Sequence, residues 1–202
     1  MNVHSFGRTG PTKKRDKRGD IIQAALALIA AQGFHGAPMS EIAAKAGVAA
    51  GTIYRYFSSK DELIVAIYQA LEEMMIEAIL EESSGGRPVR ERFLALQRAS
   101  IKYFIAHPLH FRFMEQFFNS PYGDTMRRDN LLGKPGKHSL LIDIFSEGIA
   151  QGILKDFPLP IVFSLATGPL MFLMRDHIFG FITLDDALIE RTTEACWDAI
   201  RR

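Results

Sequence analysis

Sulfur cross-links are excluded at the outset: the 202-residue chain has a single cysteine, Cys196. No internal disulfide framework exists, and a reducing compartment suits such a chain. Cys196 sits inside a helical pattern with no histidine near it in sequence, which reads as a buried thiol rather than a nucleophile. Also missing is an apolar run long enough to cross a bilayer. The longest, 161–174, is interrupted by Ser, Thr, Gly and Pro and falls short of the ~20 residues a span requires. The opening residues are polar and charged where the apolar core of an export signal would stand, so a cytoplasmic protein with no membrane partner is expected. There is no phosphate-cradling glycine loop and no serine elbow. His107 and His110 stand three apart, but Pro108 lies between them and no third ligand follows at metal-site spacing. No cofactor, metal or enzymatic activity is expected. No stretch alternates with the period of a strand, and no internal repeat is visible.

What is present is an ordinary globular balance, 48% apolar and 23% charged, with its charge unevenly placed. Residues 1–60 carry net +6 and residues 61–202 carry net −5. A basic end on an acidic chain is the footprint of a part that approaches phosphates. Residues 1–16 lack periodicity and read as a flexible basic arm. From Lys17, apolar residues recur at helical spacing (Ile21, Ile22, Ala25, Leu26, Ile29), and Gly33 provides a stop. A short helix follows from Ser40, taken as its N-cap, and then a turn at Gly47–Ala49. A third helix covers 50–57. Ser59 and Glu62 form a capping box that opens a long helix with Leu63, Ile67, Leu71, Met74 and Ala78 on one face. Ser83-Ser84-Gly85-Gly86 is the clearest linker, followed by helical segments at about 88–106, 108–118, 136–151, 158–181 and 184–201. The fold class is all-α, about nine helices: a basic arm (1–16), a helix-turn-helix domain (17–62) and a larger helical domain (63–202).

Residues 40–57 satisfy the sterics of a helix-turn-helix. Ala43 and Ala44 are small where a second helix crosses, Gly47 ends the first, and Val48 and Ile53 plug the space between. The second helix then offers Thr52, Tyr54, Arg55 and Tyr56 for phosphate and base-edge contacts. Gly33-Phe34, Ser40-Glu41-Ile42-Ala43, Ala46-Gly47-Val48, Gly51 through Phe57 and Lys60-Asp61-Glu62-Leu63 together resemble the N-terminal domain of the TetR family of bacterial regulators. The resemblance covers about residues 17–65. It implies DNA contacts from Thr52, Tyr54, Tyr56 and Lys60, a phosphate-facing hydroxyl at Ser40, and close backbone approach at Ala50 and Gly51. Arg55 is a candidate for a base or phosphate contact. The basic arm either enters a groove or adds nonspecific affinity.

The second domain is rich in aromatics and methionine. By the resemblance, a cavity for a small, partly apolar organic ligand lies somewhere among residues 90–175, with Phe104, His107, Phe111, Met114, Phe117, Phe118, Phe145, Met171 and Arg175 as candidate lining. Such a stripe is equally the make-up of a plain core. The final two helices, by the same resemblance, pair with their symmetry mates in a homodimer, using Phe163, Met174, Leu188, Ile189, Thr193, Cys196, Trp197 and Ile200. The implied function is a homodimeric repressor of a pseudo-palindromic double-stranded operator, released by its ligand. The alternatives are a helix-turn-helix binder with no small-molecule inducer, and an activator.

Overall fold

The computed structural model describes residues 16–83, 86–131 and 140–202, so the basic arm lies outside the described residues except for Asp16. Ten helices stand among them, with no strand: α1 (Lys17–Gly36), α2 (Met39–Lys45), α3 (Ala50–Ile53), α4 (Lys60–Ser83), α5 (Val89–Ala106), α6 (Pro108–Phe118), α7 (Pro121–Leu131), α8 (Leu140–Ala150), α9 (Leu159–Ile178) and α10 (Asp186–Ile200). The first three pack around Ile21, Ala25, Ile29, Ile42, Ile53 and Phe57, all at or near zero exposure. α4 leaves this unit and runs along α5, which also meets α8, α9 and α10. α1 lies against α6, so the two domains share one continuous core.

The local chemistry explains most boundaries. Asp16 caps α1 by accepting from the Gly19 amide at 3.0 Å. Gly33 takes φ +78°, ψ 172°, a region essentially reserved for glycine, and kinks the chain there as the sequence predicts. α2 ends in a Schellman motif: the Val48 amide reaches the Ala43 carbonyl (3.0 Å) and the Gly47 amide reaches Ala44 (3.1 Å), with Gly47 at φ +65°. Gly47→Ala is therefore expected to destabilise by about 1–2 kcal/mol, lowering Tm by ~2–4 °C for each of them. Thermal unfolding followed by circular dichroism checks this, and an unchanged Tm would rule out a left-handed turn.

Several expectations are corrected. Ser40 is not the N-cap of α2. The helix begins at Met39, and the carbonyl of extended Pro38 accepts the Glu41 and Ile42 amides, both at 3.1 Å. α3 stops at Ile53 rather than Phe57. Tyr54–Tyr56 tighten into turns, with Arg55 and Tyr56 amides bonding back three residues, which swings Phe57 into the core. On α4 the buried stripe beyond Leu71 passes to Ile79, and Met74 and Ala78 face solvent. The tenth helix, α7, is one the sequence pattern leaves out. Pro121 reads as a break but serves as a first helical residue, where its missing N–H is no loss, and few apolar side chains mark the segment. α7 comes so close to α6 that a Cβ on Gly123 would stand 2.3 Å from the Phe117 carbonyl oxygen.

Candidate nucleic-acid interface

α3 and the turn after it present one face inward and the other outward. Ile53 and Phe57 are buried, while Tyr54 (57% exposed), Arg55 and Tyr56 (39%) stand on the surface, and Thr52 is half-buried beside them. Ala50 and Gly51 are exposed, and nothing lies within 4 Å of where a Gly51 Cβ would be, so a ligand backbone has room to approach. Two phenols and a guanidinium, projecting from a surface whose other side is fixed by core packing, supply hydroxyls and a planar fork for phosphates and base edges. Exposed Lys45 on α2 adds a further cation. Ser40, at the second position of α2, is exposed. Arg18 of α1 is stacked over Phe57, its Cζ 5.2 Å from the ring centre.

Lys60 stands differently from the sequence expectation. Its ammonium donates to the Phe34 carbonyl and ties the start of α4 to the end of α1. Three donors sit on an ammonium, so this bond commits one and leaves two. The first turn of α4 is fixed by the expected capping serine: the Ser59 hydroxyl accepts from the Glu62 amide at 3.1 Å. The reciprocal bond shifts by one residue, because the Glu62 carboxylate accepts from both the amide and the hydroxyl of Ser58, each at 2.7 Å. Those bonds, aided by Arg18, hold the Glu62 carboxyl below its ordinary pKa against a small opposing effect of burial.

The larger domain grips this reader at points that carry no signal in the sequence pattern. Gln116 of α6 donates to the Ile29 carbonyl of α1 at 3.0 Å, and Tyr122 of α7 donates to the Asp61 carboxylate of α4. That bond keeps the Tyr122 hydroxyl protonated beyond its usual range, with burial adding to the effect. Phe34 meets Phe113 and Tyr122 edge-on at 6.1 and 5.9 Å, and Tyr68 stacks on Phe117 at 4.5 Å.

The candidate pocket residues do not converge. Phe104 and Phe111 pack edge-on, 5.7 Å between ring centres, and both are buried. Met114 and Phe117 are buried, whereas Phe118 is exposed. Phe145 joins Phe93 and Trp197 in a separate aromatic group. His107 is exposed and stacks between Tyr103 and His110, Met171 is half-buried, and Arg175 is bound to Glu115.

Most of the residues expected at a dimer interface lie inside the protomer. Ile189, Thr193, Cys196, Trp197 and Ile200 are buried inside the protomer, against α5 and α9, and Met174 is buried on the inner face of α9. Ion pairs Arg90–Glu194 and Arg98–Glu190 flank this packing between α5 and α10. Phe163 lies beneath the Arg127 guanidinium of α7. Of the residues expected at the interface, only Leu188 is exposed. α9 buries one stripe: Val162, Ala166, Leu170 and Met174 turn inward, and Ile161, Leu165 and Phe172 stand open. α9 is long and apolar enough to cross a membrane, but its inner stripe is spent on α5, α8 and α10.

Two family descriptions match the chain. Residues 21–67 fit the bacterial regulatory proteins of the tetR family, and residues 88–201 fit the tetracyclin repressor-like C-terminal domain. A fatty acid metabolism regulator protein of Bacillus subtilis is 30% identical over 71% of this chain and 74% of its own length. A TetR family transcription regulator from Marinobacter aquaeolei has the same fold, with TM-score 0.80 and 24% identity over 92% of this chain and 95% of that one. A TetR family protein from Vibrio parahaemolyticus gives TM-score 0.72 and 30% identity, covering 93% of this chain and 99% of that one.

Proposed function

This chain belongs to the TetR family of bacterial transcriptional regulators, whose members are not enzymes, and we propose that it acts as a cytoplasmic homodimeric repressor of a pseudo-palindromic operator. The observation that carries the reading is the exposed set Thr52, Tyr54, Arg55 and Tyr56, held on a short helix by buried Ile53 and Phe57. Ser40, Ala50, Gly51 and the free donors of Lys60 complete the contact surface.

The dimer forms through the outer face of α9, where exposed Ile161, Leu165 and Phe172 line up at spacings of four and seven. Apolar surface of this extent at a helix face needs a partner, and a second copy supplies the two-fold symmetry that a palindrome requires. Two recognition helices then sit roughly 34–36 Å apart, one turn of duplex. A partly apolar organic effector binds the larger domain and favours an arrangement with the wrong half-site spacing, releasing the DNA by differential affinity for two states. The Gln116–Ile29 and Tyr122–Asp61 bonds are the joints through which such a change reaches α1 and α4. The relative named for fatty acid metabolism supports an effector with an apolar body.

A selection of the purified protein against random duplex DNA at two salt concentrations tests the reading. A palindrome should be enriched, with affinity falling steeply as salt rises. Absence of any enriched sequence would leave the helix-turn-helix as scaffold and sink the proposal.

A further inference from the structure

Side chains of α6 and of the end of α9 touch at a seam holding two guanidinium–phenyl stacks. Arg175 lies over Phe172, Cζ 5.1 Å from the ring centre, and its charge is met by Glu115. Arg112, on α6, lies over Phe179 at 5.5 Å, yet its Nε is closed off from solvent and has no acceptor among the described residues. The three arginines of α5 show the contrast: Arg90, Arg92 and Arg98 hold Glu194, Glu147 and Glu190 respectively. A guanidinium carries donors only, so a buried N–H of Arg112 is satisfied by nothing but an acceptor. A phenyl face attracts the cation but accepts no hydrogen bond along the plane of the fork. A buried donor without an acceptor is costly, and more so when it carries charge. In these two stacks the seam sets two cations against one carboxylate.

We propose that Arg112 is the anchor for the effector's carboxylate, and that the effector is an amphipathic organic monoacid. This rests on the reading that the larger domain senses a small molecule. A carboxylate is planar and accepts side-on from Nε and one terminal nitrogen, so it would supply the acceptor that the Arg112 Nε lacks once the side chains over it give way. One negative charge balances the seam. Phe179, 54% exposed, offers the apolar part of the acid a surface beside that charge.

The test is isothermal titration of octanoate and of octanol into the full-length wild-type protein and Arg112→Gln, without DNA. Wild type should bind octanoate about ten-fold or more tightly than octanol, because only the acid satisfies the fork. Arg112→Gln should bring the two affinities together while keeping its mass in solution, with a melting temperature changed only by loss of the stack on Phe179. Arg112→Lys, with the charge but no fork, should retain part of the preference. Equal binding of acid and alcohol to wild type, no binding of octanoate at millimolar concentration, or a preference that survives in Arg112→Gln each overturns the assignment. So does a loss of dimer mass in Arg112→Gln, which would mean the nitrogen serves a second copy. Binding of the same preparations to the selected operator is measured alongside. Intact operator binding with no acid preference removes only the Arg112 assignment, whereas failure to bind any operator removes the regulator reading itself.

Discussion

Leu165→Asp combined with Phe172→Asp is expected to yield a folded monomer, while Trp197→Asp is expected to yield no folded protein at all. The two α9 side chains are 37% and 62% exposed in the single chain, so a carboxylate there stays hydrated and costs the protomer little. In a dimer the same carboxylates would be trapped in an apolar contact, two from each copy, at several kcal/mol each. Trp197 is 4% exposed and packs 5.5 Å from Phe93 between α5 and α10. Truncating such a residue alone costs about 3–5 kcal/mol, and a buried unpaired carboxylate adds to that. The sum competes with a total stability of roughly 5–15 kcal/mol. Light scattering after size exclusion and far-ultraviolet circular dichroism separate the outcomes. A dimer that survives both α9 changes would put the interface elsewhere, and a folded Trp197→Asp would deny that α10 closes the protomer's own core.

Tyr54→Ala should weaken operator binding by about ten-fold or more, at an unchanged melting temperature. A well-placed contact to a base is worth about 1–3 kcal/mol, or roughly 5- to 150-fold in affinity. More than half of Tyr54 is open to solvent, so the fold gains little from it. Because a phenol is uncharged, the salt dependence of binding should keep its slope. Arg55→Ala gives the complementary result, a slope smaller by about one if the guanidinium sits on a phosphate. Fluorescence anisotropy with the selected duplex across a salt series reads both quantities. Unchanged affinity in Tyr54→Ala would remove this helix from the contact surface.

The reader was legible in the sequence because its determinants are local. Gly33 and Gly47 are at positive φ as their positions demanded, Ile53 and Phe57 are buried, and Ser59 caps α4. Where local signals competed, the reading slipped by a residue or two: Pro38 took the N-cap role from Ser40, and Ser58 took the Glu62 carboxylate from Ser59. α7 went unread because its packing rests on one close glycine and a few aromatic and sulfur contacts rather than a periodic stripe.

The second domain marks where sequence stops. Periodicity shows that α9 and α10 each carry an apolar face, and the charge asymmetry shows which end meets phosphate. Neither shows whether a face meets its own chain or another copy, since both are equally apolar. Only the packing decided that Ile189, Thr193 and Trp197 close onto α5 while Ile161, Leu165 and Phe172 remain open. The same holds for the arginines. All are cations in the sequence, and only the three-dimensional arrangement supplies Glu115 to Arg175 and leaves the Arg112 Nε without an acceptor among the described residues. Sequence determined the helices and the reader, because those depend on neighbours along the chain. Tertiary structure decided which apolar faces and which charges remain unspent, because that depends on neighbours in space.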